Sequence, residues 1–150
     1  LSIIICVFIL FFGAYYEIKE ADTTINAKKD TYVHLKYAGL WIKDNSNPSD
    51  NMITTANQME LTYYSERPMY HAPGRNETDM FDRFKEADAK YLILSWWYPN
   101  ANPPWFLEYL QKNPDKFKIV QAYFFDEEKK QPAVIILEIN KEILEKSFSS

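Results

Sequence analysis

The chain opens on sixteen residues without a charge, "LSIIICVFILFFGAYY", and turns polar at "EIKEAD". At roughly 1.5 Å per residue, a helix of that length spans about 24 Å, slightly less than a ~30 Å hydrocarbon core. Tyr15 and Tyr16 fall where an interfacial aromatic belt belongs. The run is long for a buried strand, and it lacks the basic start and small-residue cleavage site of a signal peptide. The expected division is therefore threefold. Residues 1–18 are the carboxyl-terminal part of a transmembrane helix, residues 19–29 a linker and residues 30–150 a soluble domain. The first residue is not Met, which reads as a piece of a longer protein.

Beyond the linker the apolar spacing changes. In "TYVHLKYAGLWIKDN", Val33, Tyr37, Leu40 and Trp41 recur at helical spacing, with Asp30 or Thr31 as cap. "MITTA" reads as a short strand and "NQMELTYYSE" as a helix opened by an Asn57/Glu60 capping box. "PMYHA", flanked by Pro68 and Pro73, suits an edge strand. "TDMFDRFKEAD" is a helix with Met80, Phe81 and Phe84 on one side and Thr78 as cap. "KYLILSWW" is a continuous apolar strand of the kind buried on both faces. "PPWFLEYLQKN" is a helix capped by Asn102, with Trp105, Phe106, Tyr109 and Leu110 as its apolar stripe. "FKIVQAYFF" and "PAVIILEI" are strands joined by the hairpin tip "DEEKKQ". Alternating strands and helices predict an α/β fold, a three-layer Rossmann-like domain with a mostly parallel sheet and an antiparallel edge hairpin. The expected strand order is 2-1-3-4-5, with the last strand at the edge.

Composition removes some functions. The formal net charge is −4 and no basic run occurs, so nucleic acid is not an expected partner. One cysteine, Cys6, excludes an internal disulfide framework. Only three glycines occur in the chain, and "TTANQME", where a phosphate loop would follow the first strand, contains none; no nucleotide cofactor is expected. His34 and His71 are the only histidines, and neither has metal-ligand spacing to another donor. His34 is expected on a polar helix face and His71 at a strand end. Ser65 and Ser95 lack the glycines of a nucleophile elbow. Catalytic residues, metal and cofactor are thus all expected to be absent. "NET" at 76–78 matches a glycosylation acceptor pattern.

Binding is the chemistry that remains. In a sheet of this order, ligands lie beyond the carboxyl ends of the strands at the switch point, between "MITTA" and "YLILSWW". Thr55, Asn57, Trp97 and Tyr98 are the candidate binding residues there. The stretch "SWWYPNANPPW" has three readings. Trp97 and Tyr98 can stack on a sugar, Trp96 and Trp105 can cover the helix–sheet core, or the aromatics can meet a membrane surface.

"WIKDN", the Pro-Ser-Asp turn, "MITTA", "YYSERP", "KYLIL", "NPDKFKIV" and "AVIILEI" follow one another along nearly the whole chain. This layout resembles the carboxyl-terminal soluble domain of polytopic GT-C type membrane glycosyltransferases. That group includes relatives of the dolichyl-phosphate-mannose protein mannosyltransferases and the lipid-A aminoarabinose transferases. The resemblance implies a hexosyltransferase of protein glycosylation, using a polyprenyl-phosphate sugar donor. It further implies a cell-membrane location, a domain on the extracytoplasmic side and contact with the chain's own upstream transmembrane part. The family's acidic catalytic residue lies in an early membrane loop, so none is carried over to this chain. A "WWDYG" motif is not matched either: Trp96 and Trp97 are followed by Tyr98 and Pro99. Two other classes stay open, a membrane-tethered envelope domain binding a glycan or protein, and a free-standing α/β enzyme.

Overall fold

The computed structural model describes residues 14–23, 32–56, 58–72, 74, 76–97 and 100–142. The chain divides into two compact units, Leu1–Val33 and His34–Ser150. In the first, residues 14–23 form a helix, α1. It carries Tyr15, Tyr16 and Ile18 exposed, and the Thr23 hydroxyl donates to the Lys19 carbonyl (2.8 Å). Residues 19–23, assigned to a linker from the sequence, are thus helical. Most of the expected membrane segment lies outside the described residues. Among the described residues, no helix is long and apolar enough to cross a membrane.

The second unit is α/β. Its elements are α2 (Val33–Asn45), β1 (Asn51–Thr54), α3 (Gln58–Ser65), β2 (Met69–His71), α4 (Glu77–Ala87), β3 (Ala89–Ser95), α5 (Pro104–Lys112), β4 (Phe117–Phe124) and β5 (Pro132–Ile139). The five strands form one mixed sheet in the order β2-β1-β3-β5-β4. β1 runs parallel to β2 and β3, and β5 runs antiparallel to β3 and β4. Expectation and structure part at the hairpin: β5 is interior and β4 takes the edge. The side chains give the reason. β5 buries Ala133, Val134, Ile136, Leu137 and Ile139. β4 carries Lys118 and leaves Ile119 61% exposed. A continuous apolar strand gains more from two covered faces, whereas an edge tolerates charge.

Side chains alternate along β3. Leu92 and Leu94 join Met80 and Phe84 of α4, Phe106 of α5 and Leu137 of β5 in one core cluster. Tyr91 points the other way, its ring edge-on to Trp41 of α2 (5.6 Å) and its hydroxyl donating to the Asn45 carbonyl (3.1 Å). The buried stripe of α2 is Leu35, Ala38, Gly39 and Ile42, not the expected Val33/Tyr37/Leu40/Trp41 set. Close approach to α3 decides it. A Cβ on Gly39 would lie 2.6 Å from Tyr64 Cβ, so only glycine lets the helices meet there. Tyr37, 52% exposed, stacks instead on Tyr123 of the edge strand (6.3 Å).

Two caps also differ from expectation. Asn76, not Thr78, caps α4, its side-chain oxygen accepting from the Asp79 N–H (3.0 Å). Pro103 precedes α5 without a side-chain cap, and Asn102 turns back to donate to the Ser95 carbonyl (2.7 Å). An extended Pro103 already orients the first turn, which frees the Asn102 amide to tie the loop to β3.

Candidate functional site

At the switch point between β1 and β3 the polar groups are turned inward. Thr55 is buried; its N–H donates to the Ile93 carbonyl (2.9 Å) and its hydroxyl accepts from the Ser95 N–H (3.0 Å). The Ser95 hydroxyl accepts in turn from the Trp97 N–H (3.3 Å), and that of Thr54 from the Ala56 N–H (2.8 Å). The one described hydroxyl that was a candidate for a ligand, that of Thr55, ties the end of β1 to the end of β3. Both Trp96 and Trp97 lie beyond the end of β3 and are half-buried. Trp96 packs on the core cluster, as one reading of the stretch required. The Trp97 ring meets Phe125 edge-on at 4.6 Å and His34 at 5.9 Å. His34 is therefore half-buried in a ring cluster rather than on a polar helix face: it immediately precedes Leu35, the first buried residue of α2, and its ring meets Phe125 edge-on at 5.6 Å. Asn57 and Tyr98, the other two candidates, lie outside the described residues.

Two of the stretches quoted for the family resemblance, "WIKDN" and "YYSERP", meet at a second place. α3 ends at Ser65, and Glu66 takes a left-handed conformation (φ 55°) that redirects the chain. This brings Arg67, buried, beneath the carboxyl end of α2. Its guanidinium donates to the Lys43 carbonyl (2.9 Å), the Ser46 carbonyl (2.8 Å) and the Ser46 hydroxyl (3.0 Å). These are the carbonyls a helix end leaves unpaired, and a cation is favoured there. The Glu66 carboxylate pairs with the Lys43 ammonium, whose hydrogen bond holds it below the usual glutamate range. "WIKDN" and "SERP" are thus one lock.

The third place is a groove of about 540 Å³ between α4 and α5. Three half-buried rings line it: Phe81, Trp105 and Tyr109. Phe81 and Tyr109 pack edge-on at 5.2 Å. The rest of the lining is polar: the carboxylates of Glu77 and Glu108, the ammoniums of Lys112 and Lys116, and Asn113. Lys112 pairs with Glu108 (2.6 Å). Lys116 donates to the Tyr109 hydroxyl (3.3 Å) and lies 5.6 Å from its ring centroid. Burial, helped by the charges of Glu77 and Asp115, pushes the Tyr109 phenol up to about 12. The hydroxyl stays a donor throughout the physiological range. The sequence reading placed Trp105 and Tyr109 in the apolar stripe of α5, and Trp105 and Tyr109 do pack against the core. The spacing within α5 does not show that Phe81 and Glu77 of α4 line the same groove. The only signal was an aromatic-rich stripe wider than one sheet contact needs.

Among the described residues, no group of three or more His, Cys, Asp or Glu side chains is placed to hold a metal ion. No protein-family model matches the chain, and no curated protein matches it.

Proposed function

We propose that this chain is the non-catalytic, extracytoplasmic accessory domain of a polytopic GT-C type membrane glycosyltransferase. In this reading the parent protein transfers a hexose from a polyprenyl-phosphate carrier, its catalytic residues lie upstream, and this domain docks on the membrane part to position donor or acceptor. The observation that carries the reading is the Arg67 lock. Two of the seven stretches behind the resemblance, "WIKDN" and "YYSERP", separated in sequence, form one structural joint, with Arg67 closing the end of α2 and Glu66 pairing with Lys43. Residues spent on such a joint are not free for chemistry, which fits a reaction centred elsewhere. The finer fold assignment, a three-layer Rossmann-like domain, draws support from α2 at Tyr91 on one sheet face and α4 with α5 on the other.

A second reading, a membrane-tethered envelope domain that binds a glycan or protein without catalysis, is favoured by the α4–α5 groove with its aromatic and polar lining. Hexose transfer by the parent protein, assayed in membranes, separates the two. The first reading expects several upstream membrane helices and transfer that drops when residues 33–142 are removed. Full-rate transfer without those residues overturns the accessory role, and a parent with a single membrane helix and no transfer decides for the second reading.

A further inference from the structure

We propose that the groove between α4 and α5 binds a neutral saccharide. The proposal deepens the reading above by naming a ligand class and a place, and it rests on that reading only for where the saccharide comes from. Three features of the groove select this chemistry. The first is its aromatic surface. Phe81 of α4 and Trp105 and Tyr109 of α5 give the groove an aromatic lining that suits the C–H side of a sugar ring, which is apolar although its rim carries hydroxyls. The second is charge balance. Two carboxylates, Glu77 and Glu108, face two ammoniums, Lys112 and Lys116. Lys112 is engaged by Glu108 and Lys116 by the Tyr109 hydroxyl and ring. A phosphate or an acidic sugar would have to break these contacts and approach both carboxylates, whereas a neutral polyol would not.

The third feature is hydrogen-bonding capacity of both kinds within one groove. The carboxylates accept from sugar hydroxyls. The Tyr109 hydroxyl accepts from Lys116 and keeps its own proton for a ligand oxygen. At about 540 Å³ the groove lies within the size range of small-molecule sites and has room for more than one sugar ring. Beside the Trp97 cluster the strand-end hydroxyls of Thr55 and Ser95 are already bonded to backbone N–H groups.

The test titrates the 150-residue chain with neutral cello- and manno-oligosaccharides, reading the aromatic ring signals by NMR. Binding is expected at a Kd of about 1 mM or tighter, with shifts at Trp105, Tyr109 and Phe81 and not at Trp97. Trp105→Ala should weaken it by about tenfold or more, equivalent to losing one aromatic contact. Glu108→Gln should weaken it too; Glu108 is exposed, so this variant keeps the test valid if Trp105→Ala fails to fold. Inorganic phosphate and oligogalacturonate should shift the same rings less. The proposal is overturned if the neutral oligosaccharides shift none of these rings, if phosphate or oligogalacturonate binds more tightly, or if both variants bind like the unaltered chain. Such a failure leaves the result of the transfer assay standing on its own.

Discussion

Arg67 shows how a charged side chain can be buried to good effect. It is 6% exposed, and its guanidinium fork spans two carbonyls and a hydroxyl at the end of α2. Removing it strands part-buried acceptors at the end of α2, where a fully buried unsatisfied group costs about 1–3 kcal/mol. Arg67→Ala should therefore destabilise the domain by roughly 3 kcal/mol. Arg67→Lys should recover only a minor part, because an ammonium cannot reproduce the planar fork. Urea unfolding of both variants measures this, and a loss under about 0.5 kcal/mol for Arg67→Ala, ordinary for a surface site, would remove the lock from the account. Little of this was legible residue by residue. "SERP" was quoted from the sequence, yet nothing there reveals that Glu66 adopts positive φ or that Arg67 turns back to a helix end. Thr55 was legible as a strand-end residue, but its commitment to the Ser95 N–H depends on the neighbouring strand.

At the scale of elements the sequence was far more readable, because periodicity is a local property. Every helix and strand expected between residues 33 and 139 is present, with ends displaced by a few positions. Sheet order was the failure. A hairpin can join a parallel sheet by either of its strands, and local pattern does not choose; the choice follows from which strand tolerates solvent. β5, with Ile136 fully buried, sits inside, and β4, with Ile119 61% exposed, sits outside. The arrangement makes a paired prediction. Ile136→Ala should cost about 2–5 kcal/mol as a cavity in the core, and Ile119→Ala no more than about 0.5 kcal/mol. Denaturant midpoints compare them directly, and equal losses would contradict the β5-inside order. The α2 stripe was misread for a related reason: two helical stripes with the same period were available. The closeness of Gly39 to Tyr64 selects the one with small residues.

For the whole molecule, the account is a division of labour. The Arg67 lock and the strand-end hydroxyls help hold the domain together, and the groove between α4 and α5 combines aromatic and charged side chains at its surface. The groove is not legible in the sequence because its walls come from two helices, α4 and α5, whose side-by-side packing is a tertiary property. Glu77 and Glu108 share this groove with a phenol held protonated up to about 12, so the central question is whether they do chemistry or only hold a ligand. The direct measurement incubates the 150-residue chain with a labelled polyprenyl-phosphate hexose and follows the label. The account predicts that all hexose stays on its carrier, at the level of a protein-free blank. Positioned acid–base catalysis typically accelerates a reaction by about 10²–10⁴-fold. Release or transfer of hexose above the blank by such a factor, abolished by Glu77→Gln or Glu108→Gln, would contradict it and make this domain an enzyme in its own right.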